Sequence, residues 1–304
     1  VCNHCHLPLT YDTPAHHHHT KPIACVECHA PKRAYMVVDP RLDHSFRIPR
    51  PDLSAETGSP NACNQCHKDR DAKGAAAAVA KWYGPQRRAE FHYGQAFAAA
   101  RGARPGAAEG LQRIAADREQ PAIVRAAAIE LLGGYPSVRA LELASAALAD
   151  GDGMVRIAGV HSTMALDPAT GQREVPARLS DPLRAVRIEA ARALAPALSR
   201  LAPDRRAAWE SARIELDAAA AENADRPQSW LGLAQIAAVT GDTAAAERAL
   251  RHSLKLEPAF VPGVANLADL LRQTGRDQEG EALLRDAAKR APGEAALQEA
   301  LALS

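Results

Sequence analysis

The chain has 304 residues, of which 47% are hydrophobic and only 4% aromatic, and its formal net charge is +1. This length suffices for two or three domains with a sizeable core, and the near-zero net charge argues against nucleic acid or an anionic membrane as a partner. Abundant Ala, Leu, Arg and Glu with few aromatic residues favour closely packed helices over sheets, and no stretch approaches the roughly 20 apolar residues of a transmembrane helix.

All six cysteines belong to three copies of the pattern C-x-x-C-H, which is typical of c-type haem attachment. Two thiols on one helical turn can reach the two vinyl groups of a porphyrin, and the histidine that follows lies beneath the iron. The motifs predict three covalent haems c, attached through Cys2, Cys5, Cys25, Cys28, Cys63 and Cys66. The predicted proximal iron ligands are His6, His29 and His67.

A single C-x-x-C pattern also fits a zinc site or a redox disulfide. Three copies between residues 2 and 67, each followed by histidine and with no cysteine left over, favour haem instead. A thioredoxin-like motif needs a βαβ context, which this segment lacks. The segment is also poor in apolar side chains, and three porphyrins would supply the missing core.

Nine of the twelve histidines lie in the first 67 residues, which predicts iron with two histidine ligands. The run His16–His19 reads either as a solvated loop or partial tag, or as a source of at least one distal ligand. His44 lies between two motifs and reads as a distal ligand or as a loop histidine bonded to a propionate. His4 could reach only a neighbouring haem. The distal candidates are His44, His16, His17 and His19.

Three stretches around the second and third motifs resemble bacterial multihaem cytochromes related to the cytochrome c554 type. They are Tyr35 to Arg41, Asp43 to Leu53 and Pro60 to Cys63. The resemblance covers residues 1 to about 84, and it implies closely stacked haems with mostly bis-histidine iron and His44 as a distal ligand. Many of these proteins carry helical repeats and further haem motifs upstream. Because the chain opens almost directly on a motif, we expect that a leader preceded it, and that the chain is either a short relative or a fragment of such a protein.

After the motifs, residues 72–83 read as an alanine-rich helix stopped by Gly84-Pro85. The pairs Val124-Arg125, Val155-Arg156 and Val186-Arg187 then recur every 31 residues, each opening an amphipathic helix. Asp150, Asp152 and Asp181 lie in the intervening turns. This pattern resembles HEAT-type helical pairs.

A second period of 34 residues relates Gly241 to Gly275 and Pro258 to Pro292, and it resembles a tetratricopeptide repeat. Pairs of this kind stack into a solenoid whose concave face binds protein. We therefore expect a mostly α fold, a small loop-rich multihaem cytochrome domain followed by an α-solenoid of helical repeats. The expected domains are a trihaem domain at 1–84, HEAT-like repeats at 85–202 and tetratricopeptide-like repeats at 203–304.

The expected function is electron transfer through closely packed haem c groups, in the periplasm or outside the cell. The repeats would dock redox partner proteins or further copies of the chain, and a chain or filament of copies is one form of this hypothesis. The repeat segment shows no nucleophile–base–acid constellation, and an electron carrier is favoured over a catalyst. The alternatives are a multihaem oxidoreductase acting on a small nitrogen or sulfur compound, and a scaffold with structural haems.

Overall fold

The computed structural model describes residues 2–85 and 91–302. It confirms a mostly α protein, with 69% helix and 3% strand. The chain divides into two compact units, Val1–Leu111 and Gln112–Ser304. Among the described residues, no helix combines the length and the apolar character that crossing a bilayer requires.

The first unit is built from short helices and one hairpin. After a 3₁₀ turn at Cys2–His4, its helices are α1 Pro8–Tyr11, α2 Pro14–His17, α3 Cys25–His29, α4 Pro51–Thr57, α5 Cys63–Cys66, α6 Ala72–Tyr83 and α7 Tyr93–Arg101. Strands β1 Lys32–Tyr35 and β2 Asp39–Leu42 pair antiparallel, with Arg33 opposite Arg41. Helix α4 packs against α6 and α7.

Helix α6 is the longest helix described in this unit, and it begins and ends where the sequence predicts. The Asp71 carboxylate accepts a hydrogen bond from the Gly74 amide at 2.8 Å, which caps the first turn. Gly84 ends the helix with a φ of 83°, a conformation that glycine adopts without steric cost. Ala75 and Ala76 are buried, so the small residues of α6 allow close packing.

The second unit is a succession of helices. They are α8 Ala107–Ala116, in which the unit boundary falls, α9 Ala122–Leu132, α10 Val138–Ala147, α11 Gly153–Leu166, α12 Pro168–Glu174, α13 Arg184–Leu194, α14 Pro203–Ala221, α15 Pro227–Val239, α16 Thr243–Leu256, α17 Val261–Gln273, α18 Asp277–Arg290 and α19 Ala295–Ala302. Two 3₁₀ segments, Val175–Ser180 and Ala195–Arg200, precede and follow α13. Neighbouring helices pack in chain order, α9 on α11, α11 on α13 and α13 on α14, then α15 on α16, α16 on α17 and α17 on α18.

The arginines that recur every 31 residues form a ladder of ion pairs. Each pairs with a carboxylate further along the chain: Arg125 with Asp150, Arg156 with Asp181 and Arg187 with Glu215. In the middle pair Nε and Nη2 of Arg156 each donate to Asp181 at 2.8 Å, and Nη1 donates to the Asp150 carbonyl oxygen at 2.8 Å. Burial raises the pKa of Asp181, but the hydrogen bonds from Arg156 and from the Leu183 amide, together with the positive charges of Arg156 and Arg178, lower that pKa below its usual value.

Replacing Asp181 by alanine is expected to lower the free energy of unfolding by about 3–5 kcal/mol, because it leaves the Arg156 charge buried without its partner. The Asp181 side chain is fully buried, with 0% exposed, so water cannot replace the lost carboxylate. Urea unfolding followed by circular dichroism measures the change. Arg139→Ala removes an exposed pair with Glu142 and serves as the control, with almost no change expected. Equal effects of the two substitutions would contradict a structural role for the ladder.

The 34-residue period of the later helices is visible in their turns. Gly241 and Gly275 follow α15 and α17 with φ values of 88° and 74°. The Thr240 and Thr274 hydroxyls each donate to the carbonyl oxygen four residues earlier, at 2.8 and 3.0 Å. The same chain reversal therefore ends α15 and α17, and a side chain at either glycine would be strained.

His161 lies on α11 between two carboxylates of neighbouring helices. Its Nδ1 is 3.0 Å from Glu130 of α9, and its Nε2 is 3.2 Å from Glu189 of α13. Hydrogen bonds to Glu130 and then Glu189 raise the pKa of His161 to about 9. The imidazolium form therefore links helices α9, α11 and α13 at neutral pH.

The raised pKa predicts a pH-dependent contribution of His161 to stability. Protonation stabilises the fold fully below the unfolded pKa of about 6.5, and this stabilisation is lost as the pH rises through about 9. The difference in free energy of unfolding between the wild type and His161→Gln should therefore shrink between pH 6.5 and 9.5. Urea titrations across this range measure it, and a difference that stays constant would show that His161 is neutral in the fold.

Candidate functional site

Each C-x-x-C-H motif forms a single helical turn. The first is the 3₁₀ turn, and the second and third are α3 and α5. The His6 amide donates to the Cys2 carbonyl oxygen, and the His67 amide to that of Cys63, each at 3.0 Å. The turn therefore holds both cysteines and the histidine of a motif on one compact stretch of backbone. All six cysteines are free thiols, and none is fully buried.

The second and third motifs lie next to each other. Burial, followed by the nearby Cys63, raises the pKa of the Cys28 thiol, and burial also raises the pKa of Cys63. The Gln65 side-chain amide donates to the Lys32 carbonyl oxygen at 3.0 Å, which ties α5 to the start of β1. Two groups bound at these motifs would be neighbours.

The His29 ring is oriented by the backbone. Its Nδ1 lies 3.0 Å from the Arg47 carbonyl oxygen, which can only accept a hydrogen bond. Nδ1 therefore carries the proton, and Nε2 keeps the lone pair that a metal ligand needs. A histidine that donates its second ring nitrogen to a carbonyl is the usual arrangement of a metal ligand in proteins.

The histidine run brings two of its members to two of the predicted proximal ligands. The rings of His16 and His29 have centroids 6.1 Å apart with an interplanar angle of 14°. The rings of His19 and His67 are 6.0 Å apart at 33°. Two imidazoles that bind one metal from opposite sides, with metal–nitrogen distances of about 2 Å, have centroids roughly 6 Å apart.

His17 and His19 lie with their ring centroids 6.0 Å apart, and two hydrogen bonds between them distinguish the two rings. Nδ1 of His19 donates to the His17 carbonyl oxygen, which leaves Nε2 of His19 without a proton in the neutral ring. The His19 amide donates to Nδ1 of His17 at 3.1 Å. The neutral His17 ring therefore carries its proton on Nε2, so His17 is less suited to bind iron through that atom than its neighbour.

Two predicted ligands have other neighbours. The His44 ring lies against Phe46 at 6.0 Å, and no ring contact within residues 2–85 and 91–302 joins it to a proximal histidine. The His6 ring lies edge-on to Tyr11 at 5.4 Å, and Tyr11 lies edge-on to His16 at the same distance. Tyr11 thus connects the first motif to the histidine run, a role for which the sequence carries no signal.

Two aromatic side chains at the C-terminal end of α6 contact His18, in the middle of the histidine run. The Trp82 indole stacks on the His18 ring with centroids 4.3 Å apart and planes at 10°. The Tyr83 ring meets His18 edge-on at 5.3 Å, and its hydroxyl donates to the His16 carbonyl oxygen. Sequence reasoning missed both aromatic residues, although adjacent aromatics at a helix end stand out in a chain with 4% aromatic residues.

Large apolar side chains around the motifs are exposed instead of forming a core. Leu9, Val37 and Val38 are 93%, 91% and 84% exposed. Among residues 2–71 the only buried ones are Ala30, Pro51 and Ser54. This segment combines helical turns that carry the C-x-x-C-H motifs, imidazole rings oriented by backbone carbonyls, and exposed apolar side chains. Together these features fit a large apolar group such as porphyrin.

Among the residues that the structure describes, no three or more His, Cys, Asp or Glu side chains are grouped to hold a bare metal ion. No family model, curated protein or solved structure matches the chain. The resemblance to multihaem cytochromes therefore stays a prediction from the sequence.

Proposed function

We propose that this chain binds three haem c groups covalently and transfers electrons through them. The closeness of His16 to His29 and of His19 to His67 carries the proposal, because both ring pairs have the separation expected of two histidines that would hold one iron between them. A bound haem would supply an iron that gains and loses one electron. Iron held by two histidines has no open position for a substrate, which favours electron transfer over catalysis.

The chain would hold each haem by two thioether bonds and one proximal histidine. The exposed apolar side chains near the motifs would then be covered, and this burial would stabilise a segment that has little core of its own. The Arg47 carbonyl oxygen would orient the His29 ring, and the His17 carbonyl oxygen would orient that of His19. Lys32 carries a positive charge near the motifs that suits a haem propionate, whereas Arg33, Arg41 and Arg50 pair with Asp43, Asp39 and Asp52.

Two haems would lie close together, because one loop supplies a ligand to both. His16 and His19 are three residues apart, and their partners belong to the adjoining second and third motifs. Close centres exchange electrons readily, so this pair forms the natural route through the segment. His6 would be the proximal ligand of the first haem and His44 a distal ligand, the two separate roles that the sequence predicts.

The helices of the second unit would form an α-solenoid of HEAT-like and tetratricopeptide-like repeats. Their regular turns and the arginine ladder support this, since each repeat buries its face only against the next one. Such a surface suits protein docking, with a redox partner or a further copy of the chain as occupant. Because haem c is attached outside the cytoplasm, the proposed location is periplasmic or extracellular.

Haem absorbance of the denatured protein should show three covalent haems per chain, and low-temperature paramagnetic resonance of the oxidised protein should show low-spin iron only. Two nitrogen ligands of strong field on each iron are the physical reason. Absence of covalent haem would overturn the proposed function. A high-spin signal from one haem in three would instead favour the oxidoreductase that acts on a small nitrogen or sulfur compound.

Single substitutions in the run test the two axial pairs. His16→Ala and His19→Ala should each convert one of the three haems from low-spin to high-spin, because each removes one distal ligand. His17→Ala is the matched control from the same loop, and it should leave all three haems low-spin. A control that loses a low-spin signal while His16→Ala or His19→Ala does not would contradict the pairing.

A further inference from the structure

His18 differs from its neighbours in what its ring contacts. His16 and His19 face other histidines, whereas the His18 ring lies flat on Trp82 and edge-on to Tyr83. Its Nε2 is buried and has no hydrogen-bond partner in the part of the chain that the structure describes. The His18 ring is therefore held in place by its contacts with the Trp82 and Tyr83 rings and not by hydrogen bonds from its Nε2.

The backbone at His18 is also unusual. Its φ of 54° and ψ of 29° place it in the left-handed region, which non-glycine residues occupy only where surrounding contacts compensate. This residue ends α2, and the chain turns there between His16 and His19. The conformation at His18 therefore decides where both of those rings lie.

Helix α6 contacts the run at a second point as well. The Tyr83 hydroxyl donates to the His16 carbonyl oxygen, two residues before the stacked ring. Helix α6 is itself capped by Asp71 and packed on α4 through its alanine face, so its end is a fixed support. Side chains that lock ligands from outside the ligand shell are what a pre-organised metal centre requires.

We propose that His18 is a positioning residue, clamped between Trp82 and Tyr83, that sets His16 and His19 opposite His29 and His67. The inference rests on the proposed function, since it concerns the same haem ligands. We assign no iron to His18, because its ring lies against Trp82 and Tyr83 and no ring contact among the described residues joins it to His6, His29 or His67.

The substitutions His18→Phe and His18→Ala form a matched pair in the full haem-loaded chain. Both place a non-glycine residue at the same φ, so their difference reports the ring alone. Phenylalanine keeps the stack on Trp82 but cannot bind iron, and it should retain three low-spin haems with unchanged midpoint potentials. Alanine removes the stack, and the haems on His29 and His67 should both lose low-spin intensity and shift in potential.

Trp82→Ala should reproduce the effect of His18→Ala on the same two haems, and Trp82→Phe should restore the wild-type spectrum. Tyr83→Phe, which lacks only the hydroxyl, should affect the His16 haem more than the His19 haem. Circular dichroism and a count of three covalent haems verify that each variant is folded and loaded. If Trp82→Ala fails that check, the His18 pair decides alone.

Complete loss of one low-spin haem in both His18→Phe and His18→Ala would show that His18 is a ligand and overturn the proposal. A Trp82→Ala spectrum and potentials identical to wild type would overturn it as well. Failure of the proposed function is distinguishable, because the wild type itself would then carry no covalent haem.

Discussion

A segment of some seventy residues that buries only three of its side chains cannot offset the conformational entropy of folding by apolar contacts. Everything in residues 2–71 depends on this constraint. The segment is ordered by short helical turns, by hydrogen bonds between backbone carbonyls and imidazole rings, and by the contacts of Trp82 and Tyr83 with the histidine run. In small domains the missing core is commonly replaced by a metal or a cross-link, and three covalent porphyrins would do both.

The second unit, in contrast, buries many apolar side chains. Its helices bury several clusters of mostly Ala, Leu, Ile and Val side chains, and the arginine ladder adds directional contacts to that packing. Apolar burial alone allows neighbouring helix pairs to slide, whereas a bidentate guanidinium–carboxylate pair fixes one offset. Because Arg156 and Arg187 also donate to a carbonyl oxygen of the preceding turn, these two rungs specify both the turn before them and the carboxylate after them.

Much of this architecture could be predicted from local sequence. The 31-residue spacing located α9, α11 and α13, and Gly84, Gly241 and Gly275 marked helix ends because a positive φ is a local requirement. Which histidine of the run lies next to which motif could not be predicted, because the sequence alone does not distinguish four consecutive histidines from one another. The contact of His18 with Trp82 joins positions far apart in the chain, so only tertiary packing creates it.

The spacing inside the run has an evolutionary consequence. Most of the chain between the motifs, outside the run and the stretch from His44 to Arg47, is free to lengthen, since each motif carries its own thiols and proximal histidine. His16 and His19 instead serve two different partners from one turn whose centre is stacked on Trp82. Inserting or deleting one residue there would misplace two rings at once, so lineages of this protein should accumulate length changes around the run but not within it.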